Sequence, residues 1–225
     1  MHGQVTVVDD VPGAFCDTVV NAFQRRGSEA FSIALSGGDT AKRCYERLAR
    51  DGAEKIDWWQ VDVYWGDERC VPPDHSDSNE RLGRQALLEP VGAANAVHPM
   101  RCEEGANAYQ LLIGELDGFD VVHLGIGADG HTASLFSGSP AVDAEEGLLV
   151  VMNEDPTGQH PHPRMTLTFE GIARARLAVF TVSGEAKRPA MEALVKGEDL
   201  PAARVQADEV LWLVDPAAAP TNLRQ

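Results

Sequence analysis

The chain has 225 residues, of which 44% are hydrophobic and 24% charged, as in an ordinary globular protein. It has no apolar run that could span a bilayer and no start typical of a secretory signal, so we expect a cytoplasmic protein without a membrane partner. The net charge of −16 argues against nucleic acid as a partner, because nucleic-acid binding depends on clustered Lys and Arg. An anionic substrate would need the few basic residues concentrated at one place.

Strand and helix patterns alternate along the chain. The predicted strands cover residues 5–8, 31–35, 61–65, 119–124, 147–152, 164–169, 177–182 and 210–214. The predicted helices cover residues 12–26, 41–50, 80–88, 103–116 and 187–196. Several strands are almost wholly apolar, which is typical of a parallel sheet buried on both faces. We therefore predict a doubly wound, mainly parallel α/β fold with helices on both faces, in one domain over residues 1–225.

The four cysteines, Cys16, Cys44, Cys70 and Cys102, are widely spaced and form no C-x-x-C pair. A chain of this length does not need disulfides for stability. We therefore predict that all four are reduced thiols and that they bind no metal.

The richest chemistry lies in the loops that follow the predicted strands. Four of these loops combine glycine with Thr, Arg, His or Lys, at residues 36–40, 66–69, 125–131 and 183–187. In a doubly wound sheet, ligands bind beyond the carboxyl ends of the strands. The pattern therefore predicts one binding site at this edge of the sheet.

The loop 36–40 reads Ser-Gly-Gly-Asp-Thr between a strand and a helix. Gly37 and Gly38 would allow close approach of the backbone to a ligand, and the helix start would offer N–H groups to a phosphate. The alternative is a simple helix start capped by the side chain of Asp39 or Thr40. Spacing leaves both interpretations open. If a phosphate binds, Asp39 should point away from it.

The segment Gly125-x-Gly127-x-x-Gly130 matches a dinucleotide fingerprint, but no sustained helix is predicted after it. We therefore expect no nicotinamide cofactor. The same segment places His131, preceded by Asp129, at a strand end, where a histidine could transfer protons near neutral pH. The alternative is a histidine that only bonds the backbone of a helix start.

Basic residues also lie near strand ends, at Arg69, Arg164 and Lys187. Each could face a cleft or be an exposed charge. His160-x-His162 superficially suggests a metal site, but it lies among prolines without a familiar ligand spacing, so we predict an exposed loop and no metal. The sequence contains no G-x-S-x-G elbow, P-loop or H-E-x-x-H motif.

Taken together, these segments resemble the glucosamine-6-phosphate isomerase/6-phosphogluconolactonase family, in its lactonase branch. The matching stretches occur in the expected order between residues 31 and 213: ALSGGDTAKRCYERLA, VYWGDERCVPPDHSDSNERLGRQALL, HLGIGADGHTASLFSGSP, RMTLTFEGI and FTVSGEAKR. The family's glycine loop often reads SGGSTP, whereas this chain has SGGDTA. This departure removes one hydroxyl and one proline but no backbone donor.

The resemblance implies a NagB-like fold and hydrolysis of a sugar-phosphate lactone to the acid, with no cofactor and no obligatory protein partner. It implies His131 as the base, oriented by Asp129, and an oxyanion bound by N–H groups of residues 127–130 or by Arg69. The implied substrate pocket consists of Gly37, Gly38, Thr40, Arg69, Asn79, Arg164 and Lys187.

Two other functions remain open on the same fold. An aminosugar-phosphate isomerase/deaminase would typically continue from D-G-H to N-E-P, whereas this chain continues to Phe136 without a Glu. A non-catalytic sugar-phosphate sensor would normally carry a basic DNA-binding domain, which the acidic composition does not indicate.

Overall fold

A seven-stranded parallel sheet forms the centre of the fold in the computed structural model, which describes residues 1–27 and 30–223. The strands of the molecule are β1 Gln4–Val7, β2 Phe31–Leu35, β3 Val61–Trp65, β4 Asp67–Arg69, β5 Ala96–Val97, β6 Phe119–Leu124, β7 Val150–Asn153, β8 Arg164–Leu167, β9 Ala175–Val182 and β10 Glu209–Val214. The central sheet has the order β1-β10-β9-β6-β2-β3-β5, with parallel pairing throughout.

The helices connect these strands. They are α1 Val11–Arg25, α2 Asp39–Asp51, α3 Asn79–Gly83, α4 Glu89–Val91, α5 Ala106–Gly114, α6 Phe169–Ala173, α7 Arg188–Lys196 and α8 Pro201–Arg204. A π-helical turn, Arg84–Leu88, joins α3 to α4. Helix α5 is shorter than the predicted helix over 103–116, because Gly105, at φ +80°, separates it from a 3₁₀ turn. No helix in the described residues is both long and apolar enough to cross a membrane.

The burial of the central strands confirms the predicted fold class. Every residue of β2 is buried, and successive side chains of a strand point to opposite faces, so both faces of the sheet are covered. On the neighbouring strands β9 and β10, Phe180 and Trp212 are paired residues whose rings stack with centroids 3.7 Å apart. The apolar runs in the sequence therefore correspond to a sheet covered on both sides.

A second, antiparallel sheet of three strands lies beyond the carboxyl edge of the first, in the order β4-β8-β7. The sequence predicted strands near β7 and β8 but did not predict their separate sheet or β4, which has only three residues. Gly66 joins the two sheets. Its N–H donates to the Leu35 carbonyl at 2.8 Å, and its own carbonyl accepts from the Leu167 N–H at 2.8 Å.

The prediction of four reduced cysteines is wrong for two of them. Cys70 and Cys102 form a disulfide, with a sequence separation of 32 residues. Cys16 and Cys44 are free and buried, and desolvation raises the pKa of both thiols, that of Cys44 to about 12. The expectation considered only what a chain of this length needs. It did not consider that the loop after β4 packs beside the turn at Cys102.

Candidate active site

The glycine loop between β2 and α2 leaves the start of the helix open. Gly38 directly precedes α2 and has φ +93°, a conformation that favours glycine. No side chain in the described part of the chain caps α2, so neither Asp39 nor Thr40 acts as the cap. The first N–H groups of this 13-residue helix can therefore bind an anion. Asp39 is exposed and lines the same cavity as Gly37 and Gly38, so its orientation away from a phosphate stays a prediction.

A buried network holds this loop from beneath. The Tyr45 hydroxyl accepts from the Ser36 N–H at 2.7 Å and lies 2.8 Å from Nδ1 of His123. Nε2 of His123 lies 2.8 Å from the Thr181 hydroxyl. Complete burial lowers the pKa of His123 to about 3, so this ring stays neutral. The network fixes the loop backbone and carries no charge.

Asn79 joins the glycine loop to the small sheet. Its Nδ2 donates to the Asp67 carbonyl at 2.8 Å. A Cβ atom on Gly37 would lie 1.8 Å from Oδ1 of Asn79, so only glycine fits there. Oδ1 of Asn79 is buried and has no hydrogen-bond partner within residues 1–27 and 30–223. The side chain of Asn79 therefore lies directly against the backbone of the glycine loop.

Glu68 fixes the local structure around Asn79 and Arg69. Its buried carboxylate accepts from the N–H groups of Arg69 at 2.7 Å and Asn79 at 2.8 Å, and from the Ser78 hydroxyl at 3.0 Å. Desolvation raises the pKa of Glu68, and these hydrogen bonds offset the rise only in part. The sequence did not indicate this role, because Asp67-Glu68-Arg69 reads as an ordinary surface charge cluster.

Arg69 and Arg164 are paired residues on the antiparallel strands β4 and β8. Arg164 is 6% exposed, and its Nε and Nη1 have no hydrogen-bond partner in the described part of the chain. Nη1 of Arg69 donates to the Asp77 carbonyl. Desolvation and the adjacent Arg69 lower the pKa of Arg164, because both disfavour its positive charge. An anion bound between the two guanidinium groups would relieve both effects.

His131 and Asp129 form a hydrogen-bonded pair, with Nδ1 of His131 2.6 Å from Oδ1 of Asp129. An ionised carboxylate only accepts, so Nδ1 carries the ring proton and Nε2 keeps a free lone pair. A Cβ atom on Gly127 would lie 2.1 Å from Nδ1 of His131 and 2.3 Å from Oδ1 of Asp129. The absence of a side chain at this position therefore makes room for the pair.

The pKa shifts of this pair suit a neutral base beside an ionised acid. Desolvation lowers the pKa of His131 below its ordinary 6.5, and the Asp129 carboxylate opposes this only in part. Burial acts to raise the pKa of Asp129, but the charge and hydrogen bonds of His131 outweigh it and lower the value. The imidazole is therefore unprotonated at Nε2 near pH 7 and can accept a proton.

The loop that carries His131 docks on the small sheet through Ser134. The Ser134 hydroxyl donates to Oδ2 of Asp67 at 2.7 Å, and its N–H donates to the Thr166 hydroxyl at 3.1 Å. Nδ2 of Asn153 donates to the Ser134 carbonyl at 2.7 Å. Asp67, Thr166 and Asn153 lie on the three strands of the small sheet, so the loop is anchored to every strand of the sheet that carries Arg69 and Arg164.

Lys187 faces the glycine loop across a cavity of about 610 Å³. The cavity is also lined by Gly37, Gly38, Thr40 and Gly125. Burial lowers the pKa of Lys187, and the Asp129 carboxylate acts in the opposite direction. The predicted phosphate residues of the first and last loops therefore share one cavity.

A slightly larger cavity, of about 640 Å³, lies at the opposite edge of the sheet. Its lining includes Arg176 and Asp120, which form an ion pair at 2.9 Å. Because these two charges neutralise each other, this cavity attracts an anionic ligand less strongly than the cavity at the carboxyl edge of the sheet does.

Two of the N–H groups proposed for the oxyanion are already used. The Gly127 N–H donates to the His131 carbonyl at 2.8 Å, and the Gly130 N–H donates to the Gly127 carbonyl at 3.1 Å. Both alternatives, the remaining N–H groups of this loop and Arg69, stay predictions.

His160 is a neighbour of the pair that the sequence did not indicate. Its ring centroid lies 4.7 Å from that of His131, and its Nε2 lies 3.8 Å from Oδ2 of Asp129. The ring also stacks on Phe136 at 5.2 Å. His160 and His162 lie in the predicted loop but are half-buried rather than exposed, and His162 faces Asp77 instead of the pair. No sequence spacing predicts this contact, which arises when β7 and β8 form the small sheet.

Comparison with known sequences places this geometry in context. The family model for glucosamine-6-phosphate isomerases/6-phosphogluconolactonase matches residues 4–212. A 6-phosphogluconolactonase from Synechocystis sp. is 40% identical over 225 residues, which cover 92% of this chain and 89% of the relative. A 6-phosphogluconolactonase from Mycobacterium tuberculosis is 36% identical over 208 residues, covering 83% of each chain.

Solved structures agree with these matches. The chain is similar to 6-phosphogluconolactonase from Trypanosoma brucei, with a TM-score of 0.83 and 27% identity over 97% of this chain and 98% of that one. A monomeric glucosamine-6-phosphate deaminase superposes with a TM-score of 0.79 over the whole of both chains. That enzyme is only 18% identical, so it shows the shared NagB-type fold alone.

Proposed function

Because the chain belongs to the glucosamine-6-phosphate isomerase/6-phosphogluconolactonase family, we propose that it hydrolyses 6-phospho-D-glucono-1,5-lactone to 6-phosphogluconate. This reaction is the lactonase step of the oxidative pentose phosphate pathway. The relatives at 40% and 36% identity both bear the lactonase name. In this proposal the enzyme acts in the cytoplasm and needs no cofactor.

The observation that carries the proposal is a buried guanidinium without ion-pair partners in the described ranges, on the small sheet to which the loop of the neutral His131 is anchored. The buried guanidinium of Arg164 lacks partners for two of its nitrogens among the described residues, and Arg69 lies opposite it. The negative charge of a phosphorylated substrate would offset the uncompensated positive charge of Arg164. The substrate's phosphate is held by Arg and Lys side chains and by the open N-terminus of α2.

The hydrolytic step begins at Nε2 of His131. This atom takes a proton from a water molecule, and the resulting hydroxide attacks the carbonyl carbon of the lactone. Asp129 holds the ring in the required tautomer and stabilises the imidazolium that forms. Arg69 stabilises the negative charge that develops on the carbonyl oxygen.

The tetrahedral intermediate then collapses by breaking the bond between the carbonyl carbon and the ring oxygen. The imidazolium of His131 gives its proton to the departing ring oxygen, which becomes the 5-hydroxyl group of 6-phosphogluconate. This transfer returns His131 to the neutral form, so the cycle needs no external acid.

A direct assay with freshly prepared lactone tests the proposal. Acid release in a pH-stat, corrected for spontaneous opening, should be strongly accelerated by the wild-type chain. His131→Ala should lower kcat by about 10²–10⁴-fold, the usual contribution of a general base. The matched control is His2→Ala, an exposed histidine that precedes β1 at the opposite edge of the sheet.

Full activity in His131→Ala would remove this histidine from the mechanism. Release of ammonia from glucosamine 6-phosphate would instead support the sister activity, and we expect none. Binding of 6-phosphogluconate without any turnover of the lactone would indicate a sensor rather than an enzyme.

A further inference from the structure

His160, His131 and Asp129 form a cluster that the lactonase proposal does not use as a unit. One potential ligand atom from each residue lies within 4.8 Å of the others. In a tetrahedral zinc site, bonds of about 2.0–2.2 Å place ligand atoms roughly 3.4 Å apart. Oδ2 of Asp129 lies 3.8 Å from Nε2 of His160, near this value, whereas Oδ1 of Asp129 lies 2.6 Å from Nδ1 of His131, in a hydrogen bond that a metal ion would replace.

The three side chains are pre-organised by their surroundings. Phe136 stacks on His160 and lies 4.9 Å from His131, so one buried ring supports both imidazoles. The Asp155 carboxylate accepts from the His160 N–H at 2.9 Å and from the Thr157 N–H at 2.8 Å, which closes the loop before His160. The cluster therefore needs only small side-chain movements to surround a metal ion.

The cluster is also accessible from solvent. The side chains of His131, His160 and Asp129 are 18%, 34% and 46% exposed. Lys187 acts on Asp129 through space, but the two form no ion pair among the described residues. The net charge of −16 further favours the approach of a dication.

We propose that Asp129, His131 and His160 bind one first-row transition-metal dication of the Zn²⁺ class, and that this metal inhibits the enzyme reversibly. Two imidazoles and one carboxylate suit Zn²⁺, Co²⁺ or Ni²⁺, whereas Mg²⁺ and Ca²⁺ prefer oxygen ligands. The sequence spacing gave no sign of this site, because its third ligand lies 29 residues beyond His131 in the chain.

Inhibition follows from the chemistry of the imidazole. A metal on Nε2 of His131 takes the lone pair that would accept the proton from water. A metal on Nδ1 displaces the ring proton to Nε2, which then has no lone pair to offer. In both arrangements the enzyme has lost its base, so inhibition rests on the proposed lactonase mechanism, whereas metal binding does not.

Calorimetric titration of the EDTA-treated, dialysed protein with Zn²⁺ tests the binding directly. The wild-type chain should bind one Zn²⁺, and His160→Asn should weaken binding at least about tenfold, since even outer-shell changes cost 10–100-fold. His162→Asn is the matched control, because His162 lies in the same loop, is similarly exposed and faces Asp77. Asn also tolerates the φ of +77° at that position.

The lactonase assay supplies the second measurement. Zn²⁺ should inhibit the wild-type enzyme, EDTA should restore its activity, and His160→Asn should require at least about tenfold more Zn²⁺ for the same inhibition. His160→Gln, checked by circular dichroism, serves as a second variant if the Asn variant does not fold.

No binding by the wild-type chain would overturn the site, as would equal weakening by His162→Asn or unchanged affinity in both His160 variants. Zn²⁺ bound through His160 without any effect on turnover would overturn the inhibition. His160-dependent binding by a chain that lacks lactonase activity would support the metal site while contradicting the proposed function.

Discussion

Replacing Arg164 with methionine should stabilise the free protein and weaken the substrate complex. Arg164 is 6% exposed, two of its nitrogens lack partners in the described part of the chain, and Arg69 lies opposite it. Each unsatisfied buried polar group costs about 1–3 kcal/mol. Methionine has a similar length and can fill the same space without a charge.

The expected gain in the free energy of unfolding is about 1–3 kcal/mol. Replacing buried charged residues by apolar ones stabilises a protein by up to about 1–4 kcal/mol. We expect less than the upper limit here, because Asp67 and Glu68 partly favour the charged form of Arg164. For a chain of this size, about 2–4 °C per kcal/mol converts the gain to a rise in Tm of between about 2 and 12 °C. The lowered pKa of Arg164 agrees in direction, because burial already disfavours its charged form.

Thermal denaturation with and without 6-phosphogluconate measures both effects. A ligand at 100 times its Kd stabilises a protein by about 2.7 kcal/mol, and we expect most of this stabilisation to be lost in Arg164→Met. The matched control is Arg174→Met. Arg174 donates to the Ile113 carbonyl at 2.8 Å and also to the Leu116 carbonyl, so its loss should lower Tm and leave lactonase activity unchanged. If Arg164→Met lowers Tm, or keeps the full ligand-induced shift, the assignment of an anion site is wrong.

Three further predictions concern the pair and the disulfide. Neutral His131 is the active form, so kcat/KM should fall only as the pH drops through the pKa of His131, which lies below 6.5. Asp129→Asn should move this fall in kcat/KM to lower pH, because the carboxylate that raises the pKa of His131 is lost. A fall centred above pH 6.5 would contradict the assignment. Gly127→Ala should lower kcat, because the added methyl group would displace the side chains of His131 and Asp129. Gly114→Ala should leave kcat unchanged, because a Cβ atom there meets no atom within 4 Å outside its own helix. Equal rates for the two variants would contradict the steric role of Gly127. Reducing the disulfide, which spans 32 residues, should lower the free energy of unfolding by at most about 4 kcal/mol in urea titrations, because the unfolded chain loses a constraint; an unchanged value would contradict this.

The sequence predicted the features that depend on local patterns. Apolar runs such as β2 gave the parallel sheet, and glycines at strand ends located the loops around Gly37 and His131. These features follow from rules that act over a few residues: alternation of faces, helix initiation and the conformational freedom of glycine. The confirmed family resemblance rests on the same segments.

The features that were missed depend on contacts between distant segments. The β4 strand has three residues, too few for a periodic pattern, and it exists because β8 pairs with it. His160 reaches His131 only after the small sheet forms and Ser134 docks on it. The Cys70–Cys102 disulfide likewise joins segments that no local rule brings together. The sequence also cannot show which buried polar atoms lack hydrogen-bond partners, as those of Arg164 do, because this depends on the same distant contacts.

The charge distribution explains how a protein with a net charge of −16 can bind a phosphate ester. Elsewhere on the surface, basic side chains are often ion-paired, as Arg101 is with Glu80 and Arg176 with Asp120. At the carboxyl edge of the sheet, Arg164 and Lys187 form no ion pair within the described ranges, and the N-terminus of α2 has no cap. Because these cationic groups are half-buried or buried, solvent and salt screen them less than they screen the exposed carboxylates. A dianion therefore meets a locally positive site, where its charge offsets the uncompensated charges of Arg164 and Lys187.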